Sequence, residues 1–171
     1  SRRASFSRKV LNQSETPSSA ARDPGMAIAV VGVSHHTAPV EVRERFAFPR
    51  EEAVRALRTL REEAGVREAV LLSTCNRTEI YLHPGWEAVA LAARRLLARR
   101  AGDLDGPPEQ YLYVRREDDA VRHLFRVASG VDSMVLGEAE IQGQVREAYE
   151  WASEVSAEPS LVGPSLSRLL E

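Results

Sequence analysis

The one cysteine of the chain lies at a polar break between two apolar segments. Cys75 occurs in the string LLSTCNRTEIYL, with Thr74 and Asn76 on either side and Arg77 close behind. Positive charge and hydrogen-bond donors stabilise a thiolate relative to a thiol, and the thiolate is the reactive form of cysteine. The pattern therefore predicts either a nucleophile among substrate-binding groups or a small structural residue that fills a gap at a strand end.

Four histidines raise the question of a metal site, because imidazole and thiolate are preferred zinc ligands. A structural zinc site takes about four ligands, usually in paired spacings, whereas this chain has one thiol. The adjacent His35 and His36 would point to opposite faces of an extended segment. We therefore expect no metal site.

Further polar candidates lie in the second half of the chain and beside the cysteine. His123 is beside the apolar stripe of a predicted helix, where a histidine is commonly packed or partly exposed without a chemical role. Arg77 has a fork that suits a carboxylate, although arginines are also common near turns. Glu138, Glu140 and Gln144 lie at the start of the next predicted helix, where a solvated face explains them equally well.

The elements that must position these residues alternate along the chain from Met26 onward. Runs of β-branched and aromatic residues predict strands at 27–34, 69–73, 78–83 and 110–115. Proline or tryptophan at the start and glycine after the end predict helices at about 49–65 and 86–100. Two more helices follow, the first capped by Asp118 or Asp119 and the second beginning near 137–138.

This order predicts an α+β fold: a ferredoxin-like βαββαβ antiparallel sheet followed by two or more helices. In such a sheet, strands 1 and 2 are parallel and strand 3 lies between them. The C-terminal ends of strands 1 and 2 then share one edge with the start of strand 3. The segment 34–37 is therefore expected near 74–77, which places the two adjacent histidines close to the thiol.

Composition places the chain among ordinary globular domains. It has 171 residues, of which 43% are hydrophobic and 28% charged. The chain has no apolar run of about 18 residues, so the sequence predicts no membrane span. A single cysteine fits a reducing cytoplasm. Residues 26–171 carry 18 basic and 23 acidic side chains, so composition gives no support for a nucleic-acid partner.

The first 25 residues differ from the rest of the chain. They contain five basic and two acidic residues, many serines and no apolar periodicity. We interpret 1–25 as a disordered N-terminal extension or a remnant of cloning. An arginine-rich, acid-poor start is also typical of an organellar transit peptide, but Met26 just before the first strand makes plastid import the less favoured interpretation.

Three strings together resemble one family, the glutamyl-tRNA reductases. They are GVSHHTAPVEVRE (32–44), LLSTCNRTEIY (71–81) and AVRHLFRVASGVDSMVLGEAEIQGQV (120–145), in the family's order and at compatible spacings. The resemblance implies a catalytic domain at 26–158 and the start of a truncated connecting helix at 159–171. It also implies reduction of tRNA-bound glutamate to glutamate-1-semialdehyde through a cysteine thioester, in tetrapyrrole (porphyrin) biosynthesis.

The same resemblance assigns the site residues. The nucleophile of the family's S-T-C-N-R-x-E motif falls on Cys75, and the histidine implicated in activity falls on His123. The family's glutamyl-binding positions fall on two segments of this chain: Thr74, Asn76, Arg77, Ser133, Glu138, Ala139, Glu140 and Gln144. Glu140 replaces the amide that the family commonly has at that position, and Gln142 replaces a leucine.

The resemblance further implies NADPH, glutamyl-tRNA, a homodimer in the full-length family and the downstream glutamate-semialdehyde aminomutase as a partner. Family members continue into a Rossmann NADPH domain and a dimerising helical domain, whereas no G-x-G-x-x-G string occurs here. We therefore expect a cytoplasmic, bacterial fragment that acylates or hydrolyses but does not reduce. The alternatives are a non-enzymatic ferredoxin-like binding module and a decayed or regulatory fragment that retains substrate binding alone.

Overall fold

A computed structural model describes residues 28–84, 86–134 and 140–155. Its strands are β1 (Ala29–Ser34), β2 (Glu68–Ser73), β3 (Arg77–His83) and β4 (Tyr113–Arg116). Its helices are α1 (Val40–Phe46), α2 (Arg50–Ala64), α3 (Glu87–Ala101), α4 (Glu117–Ala128) and α5 (Glu140–Val155), with a short 3₁₀ helix at Pro108–Tyr111. The predicted extension at 1–25 and the predicted connecting helix at 159–171 lie outside the described residues.

The four strands form one antiparallel sheet in the order β2-β3-β1-β4. Both β1 and β2 are antiparallel to β3, which lies between them, so β1 and β2 run parallel to each other as expected. In the register of β1 and β3, Ser34 is opposite Arg77 and Gly32 is opposite Glu79. The α+β class is therefore confirmed, and the register fixes which polar residues meet at the sheet edge.

Each face of the sheet has its own hydrophobic core, because successive strand residues point to opposite sides. On the first face, Ile80 and Leu82 of β3 pack with buried residues of α1, α2 and α3. On the second face, Tyr81 packs with buried residues of α4 and α5. Arg77 and Glu79 share the second face with Tyr81, since they precede it by four and two residues. Charged groups on this strand therefore lie inside the protein.

Local sequence signals account for the ends of α2 and α3. Pro49 precedes α2, two acidic residues occupy its first turn, and Gly65 ends it with a left-handed backbone conformation at φ 67°. Trp86 precedes α3 and Gly102 follows its last residue. These boundaries agree with the predicted ones to within one residue.

Two predicted features are wrong in detail. The fourth strand begins at Tyr113, because the 3₁₀ helix after Pro107 includes Gln110. Helix α4 begins at Glu117, so neither Asp118 nor Asp119 is its N-cap; both instead lie in its first turn, where negative charge favours the helix dipole.

Helix α1 has no counterpart among the predicted elements. Its sequence VEVRERF alternates valine with charged residues, and its seven residues make about two turns. Phe46 is the one residue of α1 that is buried, and it anchors the helix to the core of the first face. No helix within the described residues is long and apolar enough to cross a membrane.

Candidate active site

Cys75 lies at the tip of the link between β2 and β3 and is exposed. The backbone N–H of Thr74 donates to the carbonyl of Arg77 at 2.8 Å. The Thr74 hydroxyl oxygen accepts from the N–H groups of Asn76 and Arg77, both at 3.2 Å. This hydroxyl, predicted as a substrate contact, therefore holds the turn that presents the thiol.

The segment after β1 packs against this turn, as the topology predicts. The N–H of His35 donates to the carbonyl of Asn76 at 2.9 Å, one residue after the thiol. Burial, followed by the charges of His36 and Arg77, lowers the pKa of His35. The turn therefore lies beside an imidazole that is neutral at neutral pH.

Helix α1 supplies a contact that was missing from the predicted set. Arg43 donates its Nε hydrogen to the carbonyl of Cys75 at 3.4 Å and its Nη1 hydrogen to the carbonyl of Ala38 at 2.8 Å. The Arg43 guanidinium therefore holds the backbone of the turn at Cys75. Arg43 is therefore a further candidate; it lies in the string 32–44, but no role was assigned to it because its helix was not predicted.

Arg77 is 2% exposed, and protein acceptors surround its guanidinium. Its Nη1 donates to Oε1 of Glu79 at 3.0 Å. Its Nη2 donates to both the carbonyl oxygen and Oδ2 of Asp132, at 2.6 and 3.0 Å. The fork that was predicted to hold a substrate carboxylate thus holds two protein carboxylates in this conformation.

Glu79 is the centre of a buried polar network. Besides Arg77, its carboxylate accepts hydrogen bonds from His123 Nε2 at 2.7 Å, from the Tyr81 hydroxyl at 2.6 Å and from the Tyr113 hydroxyl. Burial opposes ionisation, but the hydrogen bond from His123 and the charge of Arg77 outweigh it and lower the pKa of Glu79 to about 2. The carboxylate is therefore ionised at neutral pH.

The ionised carboxylate determines which ring nitrogen of His123 carries the hydrogen. His123 is 7% exposed and lies on α4 at a site where Nε2 must donate its hydrogen to Glu79. In the neutral ring, Nδ1 is then the nitrogen that can accept a proton. His123 is thus a packed residue of α4, as one alternative predicted, and it also belongs to the polar network of the site.

Two tyrosines and one glycine complete the surroundings of Glu79. Burial and the charge of Glu79 raise the pKa of Tyr81 and of Tyr113, so both hydroxyls remain donors. A side chain on Gly32 would place Cβ 2.7 Å from both Glu79 Cγ and the Thr78 carbonyl. Position 32 of β1 therefore requires glycine, because the Glu79 side chain and the Thr78 carbonyl leave no room for a Cβ atom.

Asp132 joins this network to the turn after α4. Besides Arg77, its Oδ1 lies 3.4 Å from His36 Nε2 and 3.8 Å from Arg126 Nη2. Burial would raise the pKa of Asp132, but the hydrogen bond and charge of Arg77 lower it. Ser133, which was predicted to contact the substrate, is half-buried and directly follows Asp132. The hydrogen bonds of Arg77 to Asp132 therefore bring the segment of Ser133 to the start of β3.

The other predicted contacts lie further along the chain. Glu138 and Ala139 are outside the described residues. Glu140 is exposed at the first described residue of α5, and Gln144 is half-buried one turn later. In the part of the chain that the structure describes, neither side chain takes part in the hydrogen bonds of Glu79 or Asp132.

A cleft of about 430 Å³ opens beside the network. Its lining comes from the segment after β1, from β4, from α4 and from the turn after α4: Ser34, His36, Thr37, Tyr113, Arg115, Asp119, Arg122, His123, Arg126 and Asp132. A larger groove of about 760 Å³ between α2 and α3 contains none of the predicted site residues. Across the described residues, no group of three or more histidine, cysteine, aspartate or glutamate side chains is placed to hold a metal ion.

The depressed pKa of Glu79 predicts a loss of stability in acid. Because the folded-state value of about 2 lies below the ordinary 4.5, the stabilisation is present above about pH 4.5 and is lost as the pH falls toward 2. At about 1.4 kcal/mol per pH unit, this contribution is about 3 kcal/mol. Because Glu79 is still ionised in the folded protein at pH 3, urea unfolding at pH 7 and pH 3 measures about 2 kcal/mol of this loss.

Glu79→Gln provides the matching variant. It should be less stable than the unaltered chain at pH 7 and lose less stability between pH 7 and pH 3, with Asp132 responsible for the remaining dependence. Glu62→Gln, at an exposed position of α2, is the control and should retain the full dependence. An unchanged pH dependence in Glu79→Gln would show that Glu79 is not the titrating group.

Comparisons with known proteins place these features in a family. The family described as "Glutamyl-tRNAGlu reductase, N-terminal domain" matches residues 31–171. The chain is 50% identical over 149 residues to a glutamyl-tRNA reductase of Stenotrophomonas maltophilia, covering 85% of this chain and 32% of that protein. It is 51% identical over 144 residues to one of Rubrobacter xylanophilus, covering 84% and 33%.

A solved structure gives the same result. The glutamyl-tRNA reductase from Methanopyrus kandleri is similar with a TM-score of 0.62 and 36% sequence identity. The similarity covers 84% of this chain and 32% of that one. The chain therefore spans about a third of the length of the relatives that it matches.

Proposed function

The chain belongs to the glutamyl-tRNA reductase family, in the part that the family's N-terminal domain covers, and we propose that Cys75 accepts the glutamyl group of glutamyl-tRNA. The observation that carries this proposal is the position of the thiol. Cys75 is exposed at the tip of a turn that hydrogen bonds of Thr74 and Arg43 hold in place. Its neighbour Arg77 connects that turn to the network of Glu79 and His123.

The proposed reaction is an acyl transfer. Glutamate is joined to its tRNA by an ester, and the Cys75 thiolate attacks the carbonyl carbon of that ester. A carbon–sulfur bond forms, the bond to the terminal ribose oxygen breaks, and the ribose hydroxyl leaves with a proton. The product is a thioester on Cys75 and free tRNA. Nδ1 of His123 is the proposed proton-transfer group, since Nε2 is held by Glu79.

We assign recognition of the glutamyl group to residues that follow Cys75 and to the segment at Asp132, which itself lines the cleft. We propose that a substrate carboxylate takes the place of Asp132 on Nη2 of Arg77, because Glu79 occupies Nη1. Asn76 and Ser133 are half-buried and supply neutral hydrogen bonds. The proposed contacts at Glu138, Ala139, Glu140 and Gln144 rest on the family motif alone.

Reduction of the thioester requires a hydride donor, which in the proposed full reaction is NADPH. The residues present do not fit a dinucleotide: β1 is followed by His35-His36-Thr37, where a dinucleotide-binding fold has a glycine-rich turn. We therefore assign no reduction step to this chain and propose that another part of the full-length enzyme binds NADPH.

Other parts of the proposal follow from the family. They are the reduction to glutamate-1-semialdehyde for porphyrin synthesis, a cytoplasmic location, a homodimer of the full-length enzyme and delivery of the product to an aminomutase. The strand order β2-β3-β1-β4, with α1 and α2 after β1 and α3 after β3, supports assignment of residues 26–158 to a ferredoxin-like catalytic domain. The competing proposal is a binding module in which Cys75 is inert.

Alkylation distinguishes these two proposals. The untreated chain should slowly release free glutamate from glutamyl-tRNA, because water hydrolyses the thioester, and should form no semialdehyde when NADPH is added. A chain treated with iodoacetamide should lose this release, since Cys75 is its one thiol. The assay follows radiolabelled glutamate. Equal release by the treated and untreated chains would favour the binding module.

Substitution of His123 tests its proposed role. His123→Asn should slow acyl transfer by about 100-fold, which is the low end of general acid–base effects. It should also lower the free energy of unfolding by about 1–3 kcal/mol, because buried Glu79 loses a charge-assisted hydrogen bond. Single-turnover acylation and urea unfolding measure the two effects. A loss of stability with an unchanged acylation rate would leave His123 with a structural role alone.

A further inference from the structure

Helix α4 exposes an aromatic ring between two arginines. Phe125 is 52% exposed, and the side chains of Arg122 and Arg126 are 72% and 55% exposed. Spacings of three and four residues place Arg122 on the same side of the helix as Phe125 and Arg126. We name Arg122, Phe125, Arg126 and the nearby Arg115 of β4 the α4 surface.

The α4 surface is continuous with the candidate active site. Arg122 and Arg126 border a shallow depression around Phe125, which Asp118 also lines, and both arginines also line the cleft that contains His123. Arg115 lines the same cleft, with its guanidinium carbon 5.5 Å from the centre of the Tyr113 ring. An extended ligand bound along the α4 surface would therefore lead directly into the cleft.

The positive charge of the α4 surface is only weakly compensated. Arg122 pairs with Asp119 at 3.3 Å, but both side chains are exposed, and such pairs contribute little. Arg126 is 3.8 Å from Asp132, whose carboxylate already accepts from Arg77. Residues 26–171 have a net charge of −5. Three arginines around one cleft are therefore a local concentration of positive charge in a domain that is negative overall.

This combination fits single-stranded nucleic acid. Guanidinium groups bind phosphates, and an exposed aromatic ring stacks on a base whatever its sequence. The core of a protein interface is instead depleted of charge, whereas here the ring lies between two charged side chains. We propose that the α4 surface binds the single-stranded 3′ end of the substrate tRNA, with the arginines on its phosphates and Phe125 stacked on a base. The inference rests on the proposed function, because it names the partner of that same site.

Two variants separate the phosphate contacts from the stacking contact. Arg122→Gln with Arg126→Gln should weaken binding of uncharged tRNA at least about 10-fold and reduce the slope of log affinity against log salt by about 2. Phe125→Ala should weaken binding roughly 5- to 100-fold and leave the salt slope unchanged. Arg95→Gln with Arg99→Gln is the matched control, because these exposed arginines have the same spacing on α3 but line the groove away from the cleft.

Affinity is measured by filter binding of the 171-residue chain at several salt concentrations. Uncharged tRNA forms no bond to Cys75, so the result is independent of the test of acyl transfer. Three outcomes would overturn the proposal. They are an equal loss of tRNA affinity in the α4 and control double variants, unchanged tRNA affinity in the α4 variants, and no tRNA binding by the unaltered chain. A change in self-association in place of tRNA affinity would also overturn it and assign the α4 surface to a protein partner.

Discussion

Cys75→Ser should abolish transfer of the glutamyl group from tRNA to the protein while the fold stays intact. The two side chains differ little in volume, and Cys75 is exposed, so no core packing changes. A serine hydroxyl ionises far less readily than a thiol, and we expect acyl transfer to fall by at least about 10³-fold. Radiolabel retained on acid-precipitated protein measures the transfer.

A surface substitution serves as the control for Cys75→Ser. Ser153→Ala, at an exposed position of α5, should retain both the unfolding midpoint and the acylation rate of the unaltered chain. Covalent glutamyl transfer by Cys75→Ser at the unaltered rate would mean that a different group accepts the acyl chain.

The second large effect is expected from Arg77→Lys. The guanidinium satisfies three acceptors, namely Oε1 of Glu79 and both the carbonyl and Oδ2 of Asp132. An ammonium keeps the charge but has no fork that reaches both carboxylates. We expect acylation to lose about 1.5–3 kcal/mol of transition-state binding, together with a loss of stability of about 3–5 kcal/mol.

The control for Arg77→Lys is the same substitution at an exposed site. Arg58→Lys on α2 should change neither stability nor acylation measurably. Single-turnover acylation under conditions that keep each variant folded separates the kinetic loss from unfolding. Near-normal acylation by Arg77→Lys would remove Arg77 from the substrate site, whatever the change in stability.

Local signals predicted much of the fold, and their success has a physical reason. Pro49 and Gly65 constrain the backbone directly, so the ends of α2 can be inferred without its neighbours. Helix α1 could not be inferred in this way, because its seven residues show no helical apolar period and its one buried residue, Phe46, is held by tertiary packing. Arg43 was missed for the same reason.

The site was predictable where topology alone brings segments together. The pairing of β3 with both β1 and β2 places 34–37 beside 74–77, as the contact of His35 with Asn76 confirms. The buried network was missed because Tyr113 and Asp132 come from β4 and from the turn after α4. One sequence signal did exist: Glu79 is a carboxylate in one of the two apolar segments that flank Cys75, and a charge that is buried in such a strand requires partners.

The identity of the acylated residue is the most direct test of the proposed acyl transfer. The chain is mixed with excess glutamyl-tRNA, quenched in acid and digested, and the peptide that contains Cys75 is examined by mass spectrometry. If Cys75 is the acyl acceptor, its sulfur should carry one added glutamyl group, removable by hydroxylamine as a thioester should be. A glutamyl group on any other residue, or no adduct at saturating glutamyl-tRNA, would contradict it.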